Sequence, residues 1–190
     1  MFFSKKTKRK GWLKATALSL SVVSASNVYA FSLENTPFQK AGARYNLDPL
    51  LLYAISLVES ALNGREGVSP SPLALRTRYV PHFPATIQEA KELLPDLITK
   101  HGPSIDIGLM QINWRWHKDK VDDITDLLDP ETNVMVGAEI LRYSIDSKPR
   151  DYELGIGTYH SPTEIRARNY GKRVLAVHRN LRELVSGTGK

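Results

Sequence analysis

Cysteine is absent from the 190 residues, which removes disulfides, thiolate nucleophiles, cysteine-ligated metals and a lipidated cysteine anchor. Packing alone must hold the fold. Long apolar runs are missing as well. The most apolar stretch, Ala15 to Ala25 (ATALSLSVVSA), is about half of the roughly 20 residues that a bilayer-spanning helix needs. The first thirty positions contain no acidic residue to balance Lys5, Lys6, Lys8, Arg9, Lys10 and Lys14. A basic segment, a short apolar run and the compact residues Val28 and Ala30 are the pattern of an export signal cleaved after Ala30. The expected division is therefore a signal peptide over 1–30 and one domain over 31–190, exported to the periplasm.

The six basic residues of that leader equal the formal net charge of +6. The remainder is neutral, so binding to nucleic acid loses its main electrostatic support. Metal-ligand spacing is lacking too, because His82, His101, His117, His160 and His178 are scattered, and neither a metal nor another cofactor is expected. No internal repeat, low-complexity tract or Gly/Ser linker divides the chain, and its length suits one hydrophobic core.

What is present reads as mainly helical. Thr36-Pro37 and Asp48-Pro49 each pair an N-cap residue with a first-turn proline, which predicts helices to about Tyr45 and from Pro49 to about Leu62. In the second, Leu50, Tyr53, Ala54, Leu57, Val58, Ala61 and Leu62 recur at helical spacing and Leu51, Leu52 and Ile55 cover other faces, so burial nearly all round is expected. Asn63-Gly64 supplies a stop. The prolines at 70, 72, 81 and 84 make Gly67 to Pro84 a surface excursion. A helix over Ala85 to Lys100 is expected to be interrupted at Pro95. Ser104 to Asn113 is expected to be extended or turning and to feed a helical turn. Asp129-Pro130 opens an amphipathic helix with Val134, Gly137, Ala138, Leu141 and Ile145 on one face, and further helices are expected near Tyr152 to Tyr159 and Asn169 to Val185.

Glu59 stands at the C-terminal end of the apolar helix. Desolvation and the partial negative charge of a helix C-terminus both favour the neutral, proton-carrying form of a carboxyl placed there. A general acid that protonates a glycosidic oxygen needs that form. A solvated end-of-helix glutamate is the plain alternative.

Glu59-Ser60-Ala61-Leu62-Asn63 resembles the E-S-x-x-N signature of the soluble lytic transglycosylases, and Tyr45-Asn46-Leu47-Asp48-Pro49 precedes it as in that family. Gly108-Leu109-Met110-Gln111-Ile112-Asn113 matches the family's G-L-M-Q-I-N block in the expected order. Asn133 to Leu141 resembles its N-x-x-x-G helix, Gly157 to Ser161 its A-Y-N-x-G segment, and Arg168 to Val174 its closing tyrosine-containing helix. His160 stands where the family usually has Asn, and Ser161-Pro162 replaces the small-Gly ending. The resemblance implies a mainly α, lysozyme-like (goose-type lysozyme) fold with a small extended segment near the cleft.

It also implies cleavage of peptidoglycan glycan strands, with Glu59 as acid/base and the Tyr159 hydroxyl beside the reacting sugar. Gln111 and Asn113 become cleft polar groups. Ser60 would orient Glu59 or an N-acetyl group, Gly108 would let backbone approach the glycan, and Met110 would be a sugar platform or plain core. His160 is a substrate contact or a surface histidine, and Tyr170 a further substrate contact. Trp114 to His117 offers sugar stacking or core packing. Ser104 to Asn113 is similar to the S-x-D-Y-G-I-L-Q-I-N segment of c-type lysozymes, where the residue matching Asp106 is the second catalytic carboxylate. Non-hydrolytic cleavage by one carboxyl, hydrolysis using Asp106, and glycan binding without cleavage thus remain open. Small exported members resemble accessory enzymes of conjugation, pilus and secretion machines, which makes such an apparatus the expected partner.

Overall fold

The computed structural model describes residues 31–64 and 67–187; the signal peptide expected over 1–30 lies outside them. Helix α1 (Pro37–Tyr45) begins where the Thr36 side chain accepts from the Gln39 amide, and α2 (Pro49–Ser60) where Asp48 accepts from Leu50. Both prolines sit in the first turn, where no intrahelical amide bond is lost. Between them Asn46 takes a left-handed conformation, φ 51°, closing α1. Leu51, Leu52, Ala54 and Ile55 of α2 are wholly buried, each of the larger ones stabilising by about 1.5–3 kcal/mol. The Asp48 carboxylate also meets His178 Nε2 at 2.7 Å, bracing the start of α2 against the last helix.

Two expectations for the next stretch are corrected. Helix α2 ends at Ser60, not Leu62, and Ala61 turns extended (ψ 134°). The chain enters an antiparallel hairpin of β1 (Ala61–Gly64) and β2 (Gly67–Pro70), so Asn63-Gly64 leads to a hairpin end instead of stopping a helix. The helix stops there because its last carbonyls are taken from outside: the Arg76 guanidinium donates to Glu59 O and the Ser71 amide to Ser60 O. The proline-rich excursion then contributes to a sheet. β3 (Leu75–Arg76), β4 (Pro81–His82), β5 (Asp106–Ile107) and β6 (Ile112–Asn113) form an antiparallel sheet in the order β4-β3-β5-β6. Its register pairs Leu75 with Ile107 and Ile107 with Ile112, a row with almost no exposed area. The adjacent row pairs Arg76 with Asp106 and Asp106 with Asn113. Side chains alternate across a strand, so one row seals the core and the other faces out.

Helix α3 (Ile87–His101) runs through Pro95 without interruption, a third correction. Leu94 and Leu97 on either side are buried, and their burial holds the turn despite the missing amide. After β6 come α4 (Trp114–His117), two short 3-10 turns, α5 (Pro130–Asp146), α6 (Tyr152–Thr158) and α7 (Glu164–Val185). α7 begins five residues before the expected Asn169, with the acidic Glu164 in its first turn, a start that the apolar pattern does not mark. α6 and α7 approach so closely that a Cβ built at Gly157 would lie 1.9 Å from the Ala167 carbonyl oxygen. No helix among the described residues is long and apolar enough to cross a membrane.

Candidate active site

The loop between β5 and β6, Gly108 to Gln111, ties the surrounding elements together. Its backbone is bonded from four directions. The Gly108 amide donates to Ala74 O at 2.8 Å, Met110 N to Asn133 Oδ1 at 2.8 Å, Ser60 Oγ to Leu109 O at 2.8 Å and Tyr159 Oη to Met110 O at 2.7 Å. Asn133 Nδ2 in turn donates to Ile107 O and Leu127 O. Gln111 adopts φ 48° and its Nε2 donates to Ala74 O and Gly108 O, keeping that strained residue in place. The loop thus anchors the ends of α2 and α6, the approach to β3 and the face of α5.

Against this frame lies an open groove of about 530 Å³. Glu59 reaches it from the last turn of α2, 8% exposed. Asp106 and Asn113 enter from the outward row of the sheet, with Arg76 beside them, while Tyr159, His160 and Trp116 form other walls. His160 Nδ1 stands 3.7 Å from Glu59 Oε1, and its ring lies parallel to Tyr170, centroids 4.6 Å apart. Trp116 is 67% exposed and carries the Arg115 guanidinium 4.9 Å above its ring centre, so its other surface is available for a stacked partner.

Burial dominates the electrostatics. It pushes the Asp106 carboxyl above the usual aspartate range, and the negative charge of Glu59 adds to that. The Asn113 Nδ2 bond to Asp106 Oδ1 (2.7 Å) and the charges of Arg76 and His160 oppose the rise. The Tyr159 and Tyr170 hydroxyls are held well above the ordinary phenol value, by burial first and by Glu59 second. Both therefore stay neutral. Burial likewise lowers the His117 imidazole.

The expected site residues separate into two groups. Glu59, Asp106, Gln111, Asn113, Tyr159 and His160 converge on the groove. Tyr170 lies directly behind His160, 4% exposed. Ser60, Gly108 and Met110 do not face the groove, which corrects their assignment as substrate contacts. The Ser60 hydroxyl is spent on Ser56 O and Leu109 O. Gly108, at φ 75°, is required because a Cβ there would lie 2.3 Å from Asn133 Nδ2. Met110 is fully buried against Gly137, so the core reading of that methionine holds. The hydroxyl of Tyr159 is turned inward to Met110 O, and the residue meets the groove through its ring.

Arg76 was invisible in the sequence. It lies in the segment that reads as an excursion, on a strand of two residues, too short for period-two alternation to register.

The family model described as Transglycosylase SLT domain matches residues 36–174. No curated protein and no solved structure matches the chain.

Proposed function

The chain belongs to the transglycosylase SLT domain family, and from that membership we propose that Glu59 cuts peptidoglycan glycan strands by lytic transglycosylation. One observation carries the reading: a carboxyl that is 8% exposed, at the end of an apolar helix, opens onto a groove with room for a sugar chain. In the first step the Glu59 carboxyl gives its proton to the β-1,4 glycosidic oxygen between muramic acid and glucosamine as the C1–O bond breaks. In the second, the ionised Glu59 takes the proton of the muramic acid's own 6-hydroxyl as that oxygen bonds to C1. The product is a 1,6-anhydro ring, Glu59 regains its proton, and no water is consumed. The N-acetyl group can assist at the anomeric carbon.

Asp106 on the same groove favours one competing reaction, hydrolysis by a carboxylate pair. In that scheme the second carboxyl acts as nucleophile at a separation of about 5–5.5 Å, or activates water at about 6.5–9.5 Å. Mass spectrometry of digested sacculi separates the two: 1,6-anhydro ends are expected, and reducing ends would overturn the proposal. Asp106→Asn is expected to lose clearly less activity than the roughly 10²–10⁴-fold typical of a missing general acid/base. A collapse of that full size, measured by release of soluble fragments, would support the hydrolytic pair. The substrate lies outside the cytoplasmic membrane, which is where the leader pattern would deliver the domain. We further propose local opening of the wall for a conjugation, pilus or secretion apparatus, supported by resemblance to the small accessory enzymes of such machines.

A further inference from the structure

Among the described residues, Arg76 is the one Lys or Arg that lines the groove. Its NH2 group donates to the Glu59 carbonyl at 3.0 Å, one of the carbonyls that the end of α2 leaves without an intrahelical partner. Its strand position is directly opposite Asp106, which is opposite Asn113. Directly opposed residues point to the same side of a sheet, so the guanidinium, the carboxylate and the amide form one polar row on the groove floor. The three are the outward complement of the sealed row Leu75, Ile107 and Ile112. One side chain thus touches the backbone of the acid and flanks the second carboxyl.

We propose that Arg76 is a positioning residue for glycan cleavage, fixing the acid-bearing end of α2 and the Asp106 carboxylate in one arrangement across the groove. The inference rests on the glycan-cleaving reading of this groove. Two consequences follow from the geometry. Without the guanidinium, the Glu59 carbonyl loses an outside donor and the last turn of α2 can shift, and a displacement of about 1 Å at a reacting group can cost on the order of 10²-fold in rate. The positive charge beside Asp106 also opposes the upward push that burial exerts on that carboxyl. Its removal therefore raises the pH needed to ionise Asp106, and an anionic Asp106 stabilises positive charge developing at the anomeric carbon.

The test compares wild type, Glu59→Gln, Arg76→Gln and Arg76→Lys on solubilised peptidoglycan strands across pH, with thermal unfolding measured in parallel. For Arg76→Gln the expected result is a fall in kcat of about 10- to 100-fold, KM nearly unchanged, and the acidic limb of kcat/KM displaced to higher pH. Arg76→Lys, which keeps the charge but not the planar fork, is expected to keep the acidic limb in place while recovering only part of kcat. In an Asp106→Asn background the replacement of Arg76 no longer moves the limb. A profile for Arg76→Gln superimposable on wild type, or a loss that Arg76→Lys shares in full with its limb displaced as well, would overturn the proposal. Should Arg76→Gln not fold, Arg76→Lys decides alone: an unmoved limb with lowered kcat supports the role, and wild-type kcat refutes it. If instead Glu59→Gln cleaves as fast as wild type, the failure lies in the assignment of the acid, not in Arg76.

Discussion

Glu59→Gln is expected to lower the rate of glycan cleavage by about 10²–10⁴-fold while leaving strand binding close to wild type. Glutamine keeps the size and hydrogen-bonding shape of the side chain and lacks only the transferable proton. The surrounding structure gives no reason for the fold to suffer. Glu59 lines the groove at 8% exposure, and its carbonyl, which Arg76 holds, is unaffected by the replacement. Cleavage is to be followed by turbidity loss of purified sacculi and binding by co-sedimentation. Retained binding with lost cleavage identifies the proton as the missing element. Loss of both would mean that the groove had collapsed, and full retention of cleavage would remove Glu59 from the chemistry. The same variant separates a cutting enzyme from a glycan-binding module, since a binder would behave like wild type in both assays.

Asn133→Leu is expected to cost roughly 3 kcal/mol or more of folding stability. Asn133 is 1% exposed, and its side-chain amide serves the Met110 amide and the Ile107 and Leu127 carbonyls at once. Leucine fills a similar volume but leaves three buried backbone groups without partners, each costing about 1–3 kcal/mol. The loss concentrates at the β5–β6 loop, which also receives Ser60 and Tyr159. Activity should therefore fall at temperatures where the bulk of the fold survives. Urea unfolding checks the prediction: a lower midpoint at unchanged m is expected. A stability change within about 0.5 kcal/mol, the range of ordinary surface substitutions, would show that Asn133 does not hold the loop.

The parts of the fold that were legible in the sequence are those fixed by local chemistry. Thr36-Pro37, Asp48-Pro49 and Asp129-Pro130 cap their helices as their residue types require, and the side-chain bonds to Gln39, Leu50 and Thr132 amides are formed. What sequence patterns missed depends on contacts between distant residues. Asn63-Gly64 suits both a helix stop and a turn, and the choice falls to the carbonyl partners Arg76 and Ser71. Pro95 breaks helices in isolation, whereas the buried Leu94 and Leu97 override it.

The site shows the same division. Glu59, Gln111 and Asn113 reach the groove from motif positions, yet Ser60, Gly108 and Met110, drawn from the same motifs, support the frame. Their partners are Leu109, Asn133 and Gly137, which no local pattern connects to them. For His160 the sequence leaves both a substrate contact and a surface histidine open. No local pattern connects it to the acid, and the fold brings it to 3.7 Å from Glu59 and stacks it on Tyr170.

The placement of the acid against its substrate is tested most directly by the structure of Glu59→Gln with a peptidoglycan-derived tetrasaccharide bound. The expected result is a saccharide lying in the groove between Asp106, Trp116 and His160, with the glycosidic oxygen of a muramic acid within about 2.6–3.2 Å of the side chain at position 59. A saccharide seated elsewhere, or one in the groove whose glycosidic oxygens all lie beyond reach of that side chain, would contradict the assignment of Glu59 as the proton donor.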